Sequence, residues 1–140
     1  MLTVAHMGTL FVVLWFYRLE VLTILKDLVS GDTPWLKRSG VRMAWFIVLA
    51  SVPTALIGLT LEDYFDAWFS TPSVLVVTFA VTGMILFASN WAPVGNSDEM
   101  SMRWWQALVL GLVQGLAITP GISRSGSTIV AAMFLGLNRE

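Results

Sequence analysis

The 140-residue chain has no cysteine and a single histidine, His6. Without thiols there is no disulfide framework, thiolate metal centre or cysteine nucleophile, and one imidazole cannot build a histidine-rich metal site. Charge is scarce as well. Only 12% of the residues are charged and 56% are apolar, whereas ordinary soluble domains are about a quarter charged. Eight basic and nine acidic residues leave a net charge of -1, so no basic field exists to hold nucleic acid. This is the composition of a protein that meets lipid.

The few charges are placed unevenly. Eight of the seventeen fall between Arg18 and Arg42, three between Glu62 and Asp66, and three between Asp98 and Arg103, which leaves Arg124, Arg139 and Glu140. Between these clusters run charge-free stretches at residues 1–17, 43–61, 67–97 and 104–123. A helix rises about 1.5 Å per residue, so 43–61 matches the ~30 Å hydrocarbon core of a bilayer. Residues 73–92, bounded by Pro72 and Pro93, do the same. Both are predicted to be transmembrane helices, with Trp45, Trp68, Trp91, Trp104 and Trp105 near the ends of the apolar runs, at headgroup depth.

Residues 1–17 are short for a span and have no basic residue ahead of their apolar core, unlike a cleaved signal peptide. From Leu19 to Val29 the pattern turns amphipathic, with Leu22, Leu25, Leu28 and Val29 on one side and Lys26 and Asp27 on another, which predicts an interfacial helix. Gly31, Asp32, Thr33 and Pro34 predict a turn. The segment from Arg18 to Arg42 carries five basic residues, and the next connection, 62–72, carries three acids and no base. The first is therefore expected on the cytoplasmic side and the second outside, with its acids solvated.

Arg124 breaks the pattern. It lies within the apolar region 104–138, where an arginine at the centre of a membrane helix costs about 2.5 to 3.5 kcal/mol on insertion scales. Its surroundings, Pro120-Gly121-Ile122-Ser123-Arg124-Ser125-Gly126-Ser127-Thr128, interrupt two apolar helical stretches, 105–119 and 129–137. Irregular backbone at membrane depth survives only when buried in protein or lining a watery cavity, so a helix-loop-helix that enters and leaves on one side is expected. The second helix is predicted to start near Ser127, capped by Ser127 or Ser125, with its free amides and positive dipole end facing the loop. Such an end favours anions, and a guanidinium fork among hydroxyls suits phosphate. The competing reading is a structural kink whose arginine snorkels or bonds to backbone carbonyls. Gln114 and Thr119 either line the loop or serve as packing glue. His6 lacks a second ligand or paired carboxylate and reads as packing, as do the small residues around Pro53, where a kink is expected.

The run from Pro120 to Thr128 resembles the signature of the bacterial undecaprenyl-diphosphatase family, the BacA-type membrane phosphatases. The flanking Gly111-Leu112-Val113-Gln114-Gly115 and Gly136-Leu137-Asn138-Arg139-Glu140 are similar to family segments too, as are those at His6, Ser51 to Leu59 and Thr82 to Leu86. The resemblance covers essentially the whole chain. It implies an all-α, polytopic membrane helix bundle with a re-entrant helix-loop-helix, part of an inverted-repeat fold. It also implies hydrolysis of undecaprenyl diphosphate to undecaprenyl phosphate, as in peptidoglycan lipid-carrier recycling and bacitracin resistance. Arg124, Ser123 and Thr128 would be the catalytic contacts, and Gly121, Ser125, Gly126, Ser127 and Gln114 would bind substrate. The partners implied are a polyprenyl diphosphate lipid and the bacterial cell membrane, without nucleic acid.

The same resemblance implies a divalent cation, magnesium or calcium, held by a pair of glutamates four residues apart. That pair and the Ser-Ser-x-Gly-His run that follows it in the family do not occur in this sequence. His6 aligns with a later family position and does not take the catalytic histidine's role. Residues 1–140 are therefore expected to form one membrane domain, a piece of a longer phosphatase that carries the phosphate-binding half and is inactive alone. A secondary carrier for a phosphate-bearing or other anionic substrate is the alternative, since carriers also aim helix ends at anions in mid-membrane; an inactive remnant is a third.

Overall fold

The computed structural model describes residues 2–29, 39–93, 95 and 101–138. All regular structure among them is helical: α1 Leu2–Phe16, α2 Arg18–Val29, α3 Ser39–Thr60, α4 Glu62–Phe69, α5 Pro72–Ala88 extended by a 3-10 turn Ser89–Trp91, α6 Trp104–Leu116 and α7 Arg124–Phe134. The all-α membrane-bundle expectation is met. The predicted turn at 31–34, the 96–100 stretch of the next connection and the side chain of His6 lie outside the described set.

The chain divides into two compact units, residues 1–45 and 46–140. In the first, α1 and α2 are separated by a turn at Tyr17. Arg18 donates to the Trp15 carbonyl at 2.9 Å and stacks 5.1 Å over its ring, so the first charge after the apolar run is folded back onto an indole. Helix α2 presents Leu19, Leu22, Leu25 and Val29 to the outside, as an interfacial helix does. Asp27 departs from its expected role as a solvated polar face. Its carboxylate accepts from the Gly40 amide at 2.9 Å, placing a negative charge on the positive first turn of α3.

Two helices are long and apolar enough to cross a membrane, Gly40–Thr60 and Pro72–Trp91, and only 6% and 11% of their apolar windows are buried. A core helix of a soluble protein would be covered; these present apolar surface instead, as lipid-facing helices do. The five tryptophans placed near the run ends are all exposed. The connection between the two spans is not a loop: residues 62–69 form α4, whose Phe65 is buried and meets the Trp68 ring edge-on at 5.9 Å. Its acids, Glu62, Asp63 and Asp66, are exposed.

In the second unit α6 and α7 form an antiparallel hairpin. With 13 and 11 residues, they reach about 20 and 16 Å, too short for a ~30 Å core. Gln106 ties their open ends: its Oε1 accepts from the Arg103 amide at 2.7 Å and its Nε2 donates to the Leu135 carbonyl at 3.0 Å. Entry and exit therefore lie together, which is the re-entrant arrangement. At the exit Gly136 adopts φ 81, and the amides of Gly136 and Leu137 donate to the carbonyls of Met133 and Ala132, a Schellman stop that satisfies two last-turn carbonyls.

Helix α3 runs unbroken through Pro53 and packs on α6 at backbone distance. The Thr54 hydroxyl, between the carbonyls of Ala50 at 3.0 Å and Gly111 at 2.8 Å, links the two helices. A Cβ on Gly111 would overlap the Ala50 carbonyl oxygen, and one on Gly115 would lie 2.8 Å from Ile57. The small residues around Pro53 thus serve close helix approach.

Candidate functional site

The break in the hairpin is narrower than its composition suggests. Helix α6 ends at Leu116 and α7 already begins at Arg124, so Arg124, Ser125, Gly126 and Ser127 are helical. The cap is Ser123, not Ser125 or Ser127: with φ -72 and ψ 106 it leaves the helical region, and its Oγ accepts from the Gly126 amide at 3.2 Å. Three serines at alternate positions made equally good caps by local chemistry. Contacts with α5 select among them. Gly121 adopts φ 87, and a Cβ there would overlap the Thr78 hydroxyl. The Thr82 hydroxyl donates to the Gly121 carbonyl at 2.9 Å and accepts from the Ser123 amide at 3.1 Å.

This geometry leaves a cluster of donors at the start of α7. The amides of Ser123, Gly126 and Ser127 have acceptors. Those of Arg124 and Ser125 have none among the described residues, as expected of a helix's first turn. The Arg124 side chain is exposed on the first helical residue and makes no hydrogen bond or ion pair among the described residues, so the carbonyl-bonded alternative is not what is seen. Ser125 is exposed beside it. Two free amides, a guanidinium, the Ser125 hydroxyl and the helix's positive end together suit a multiply charged oxyanion.

The other sequence candidates divide. The Ser123 oxygen is occupied as the cap, while its own proton remains available. Thr128 sits a turn further on, its hydroxyl directed at the carbonyls of Arg124 and Ser125 at 2.9 and 3.1 Å; it braces the first turn and reaches an anion only after changing rotamer. Gln114 is exposed on α6 with no side-chain bond to the turn among the described residues. Thr119 contributes backbone bonds to the turn, its carbonyl accepting from the Ile122 amide at 3.2 Å. Thr82, Thr78 and Gln106 shape the hairpin; Thr82 opens one of the segments singled out in the sequence for family resemblance, whereas Thr78 and Gln106 lie outside all of them.

Ser127 is the anomaly. It is 5% exposed, and its Oγ is buried without a hydrogen-bond partner, whereas the hydroxyls of Ser51, Thr54, Thr60, Thr78 and Thr128 each bond the carbonyl four residues back. A buried unsatisfied hydroxyl costs about 1–3 kcal/mol. Ser127→Ala is therefore expected to unfold at the same temperature as the parent or higher, and thermal unfolding in detergent followed by circular dichroism checks this. A clear drop would mean that the hydroxyl is bonded in the resting fold.

A divalent cation finds no matching donor set here. Among the described residues no three His, Asp or Glu side chains converge, and the turn offers amides and hydroxyl protons, which suit an anion.

Comparison with known proteins identifies the family of the chain. The family model described as bacitracin resistance protein BacA matches residues 1–140. The chain is 37% identical to the undecaprenyl-diphosphatase of Alkaliphilus metalliredigens over 142 residues, covering 96% of this chain and 52% of that protein. Proteins of the same name from Marinobacter nauticus and Aliivibrio salmonicida are 37% and 36% identical, each over 96% of this chain and 51% of their own length. The chain spans about half the length of these curated relatives.

Proposed function

Because this chain belongs to the bacitracin resistance protein BacA family, we propose that it serves the hydrolysis of undecaprenyl diphosphate to undecaprenyl phosphate, with the α6–α7 turn holding the diphosphate. The observation that carries this reading is the Arg124 guanidinium beside two amides at the start of α7, all three without a partner among the described residues. Arg124 would grip two phosphate oxygens at once, the amides of Arg124 and Ser125 and the dipole of α7 would take further negative charge, and Ser123 would donate its free proton. Gly121 and Gly126 serve the close packing of the turn on α5, where a Cβ would meet Thr78 and Leu86 respectively, and Ser125 and, more distantly, Gln114 would complete the polar lining, Ser127 being buried. As the bridging bond to the terminal phosphorus breaks, charge spreads over the equatorial oxygens, and preorganised donors are most effective there.

The magnesium or calcium ion that the family resemblance implies has no fitting donor set among these residues, so no step is assigned to it. The setting proposed is the bacterial inner membrane, with α3 and α5 as two of several spans. A carrier of anions is not favoured, because the matched relatives are named as phosphatases.

The test is titration of the purified chain with undecaprenyl diphosphate and, separately, with undecaprenyl phosphate. Saturable binding that prefers the diphosphate is expected. Equal or absent binding of the two would overturn the reading, and phosphate release by the purified chain would overturn the assignment of only the binding half to it.

A further inference from the structure

Thr82 is the only described threonine whose hydroxyl bridges two backbone groups of the hairpin turn, donating to Gly121 and accepting from Ser123. Threonines in apolar helices ordinarily return the hydroxyl proton to the carbonyl four residues back, as Thr78 does on the same helix at 3.0 Å. Thr82 gives that bond up. Its two contacts flank Ile122, and Ser123 is the residue whose geometry decides where α7 begins. One turn earlier Thr78, 8% exposed, blocks any side chain at Gly121. Helix α5 thus fixes both the entry and the cap of the α7 N-terminus.

We propose that Thr82 is a positioning residue for anion binding: by holding the Gly121 carbonyl and the Ser123 amide it sets the cap, and through the cap the direction of the Arg124 guanidinium and the two free amides. This rests on the diphosphate-binding role given to the turn. Without the hydroxyl, the Ser123 amide loses its acceptor, the cap is free to pass to Ser125, and the donors no longer converge. Thr82→Val keeps the shape and removes both bonds; Thr82→Ser keeps both.

Undecaprenyl diphosphate binding and backbone amide exchange are to be measured on wild type, Thr82→Val, Thr82→Ser and Arg124→Ala. Thr82→Val is expected to bind about tenfold more weakly, the loss of one or two hydrogen bonds' worth of orientation, with helicity retained, and Thr82→Ser to bind within about twofold of wild type on the same scale. Exchange at the Ser123 amide should accelerate in Thr82→Val only. Wild-type affinity in Thr82→Val, or failure of Thr82→Ser to restore it, overturns the proposal. Should Thr82→Val not fold, wild type alone decides: its Ser123 amide must exchange more slowly than those of Arg124 and Ser125, and equal rates overturn the clamp. Failure of the wild type to bind the lipid, with the exchange pattern as expected, would instead sink the diphosphate reading and leave the clamp standing.

Discussion

Arg124→Lys is expected to lower phosphate release from undecaprenyl diphosphate by about two orders of magnitude in a complete family phosphatase carrying this segment, although the positive charge is kept. Loss of one preorganised donor to a developing oxyanion costs about 10²- to 10³-fold, and lysine replaces a planar fork by a point charge on a flexible stem. The geometry makes the loss hard to compensate. Arg124 is the first residue of α7, so its side chain leaves the helix beside the free amides of Arg124 and Ser125, and these three donors share one anion only if the guanidinium presents two parallel N–H groups. An ammonium can neutralise a single oxygen but cannot span two. Arg124→Ala should be worse still, since only the amides and the dipole remain, the latter worth about 1 kcal/mol or less when exposed. Steady-state phosphate release checks both variants. Near-parental turnover in Arg124→Lys would show that Arg124 supplies charge and not orientation.

Much of this was legible before the fold was seen. Charge position alone outlined the two spans, because a charged residue in lipid is too costly to place at random, and the same argument singled out Arg124. The Gly, Pro and Ser crowd around it marked the hairpin turn. What composition could not give was where the turn ends. Ser123, Ser125 and Ser127 are equivalent caps to local chemistry, and the choice is made by Thr82 and Thr78 across the gap. Nothing local to α5 says which of its hydroxyls meets another helix.

Asp27 and Gln106 were missed for a related reason. Asp27 has the spacing of a solvated face, yet it caps the first turn of α3. Gln106 follows two tryptophans in a charge-free run, and its role comes from Leu135, which lies 29 residues away. Three acids make the connection at 62–72 look merely solvated, and the signal for helix α4 is the i, i+3 spacing of Phe65 and Trp68.

The largest structural effect is expected at Gly111, on α6. Its α-carbon faces the Ala50 carbonyl so closely that a methyl group there would overlap the oxygen and lie 2.7 Å from Pro53 Cγ. The obstruction is backbone and a proline ring, neither of which can rotate aside, so α3 and α6 must separate. Separation also breaks the Thr54 bond to the Gly111 carbonyl. Gly111→Ala is expected to cost about 3 kcal/mol, the upper end for overpacking. Gly115→Ala should cost less, because its nearest obstacle is the Ile57 side-chain tip at 2.8 Å, which has rotamers to move through. Gly83→Ala is the control. With nothing within 4 Å and a helical position on α5, it should gain about 1 kcal/mol from helix propensity alone. Thermal unfolding of the three variants in one detergent should therefore rank them Gly83→Ala, Gly115→Ala, Gly111→Ala from most to least stable. A Gly111→Ala variant as stable as the parent would mean that α3 and α6 do not approach at backbone distance. The hairpin would then lack the support along α6 that this packing provides to the turn bearing Arg124.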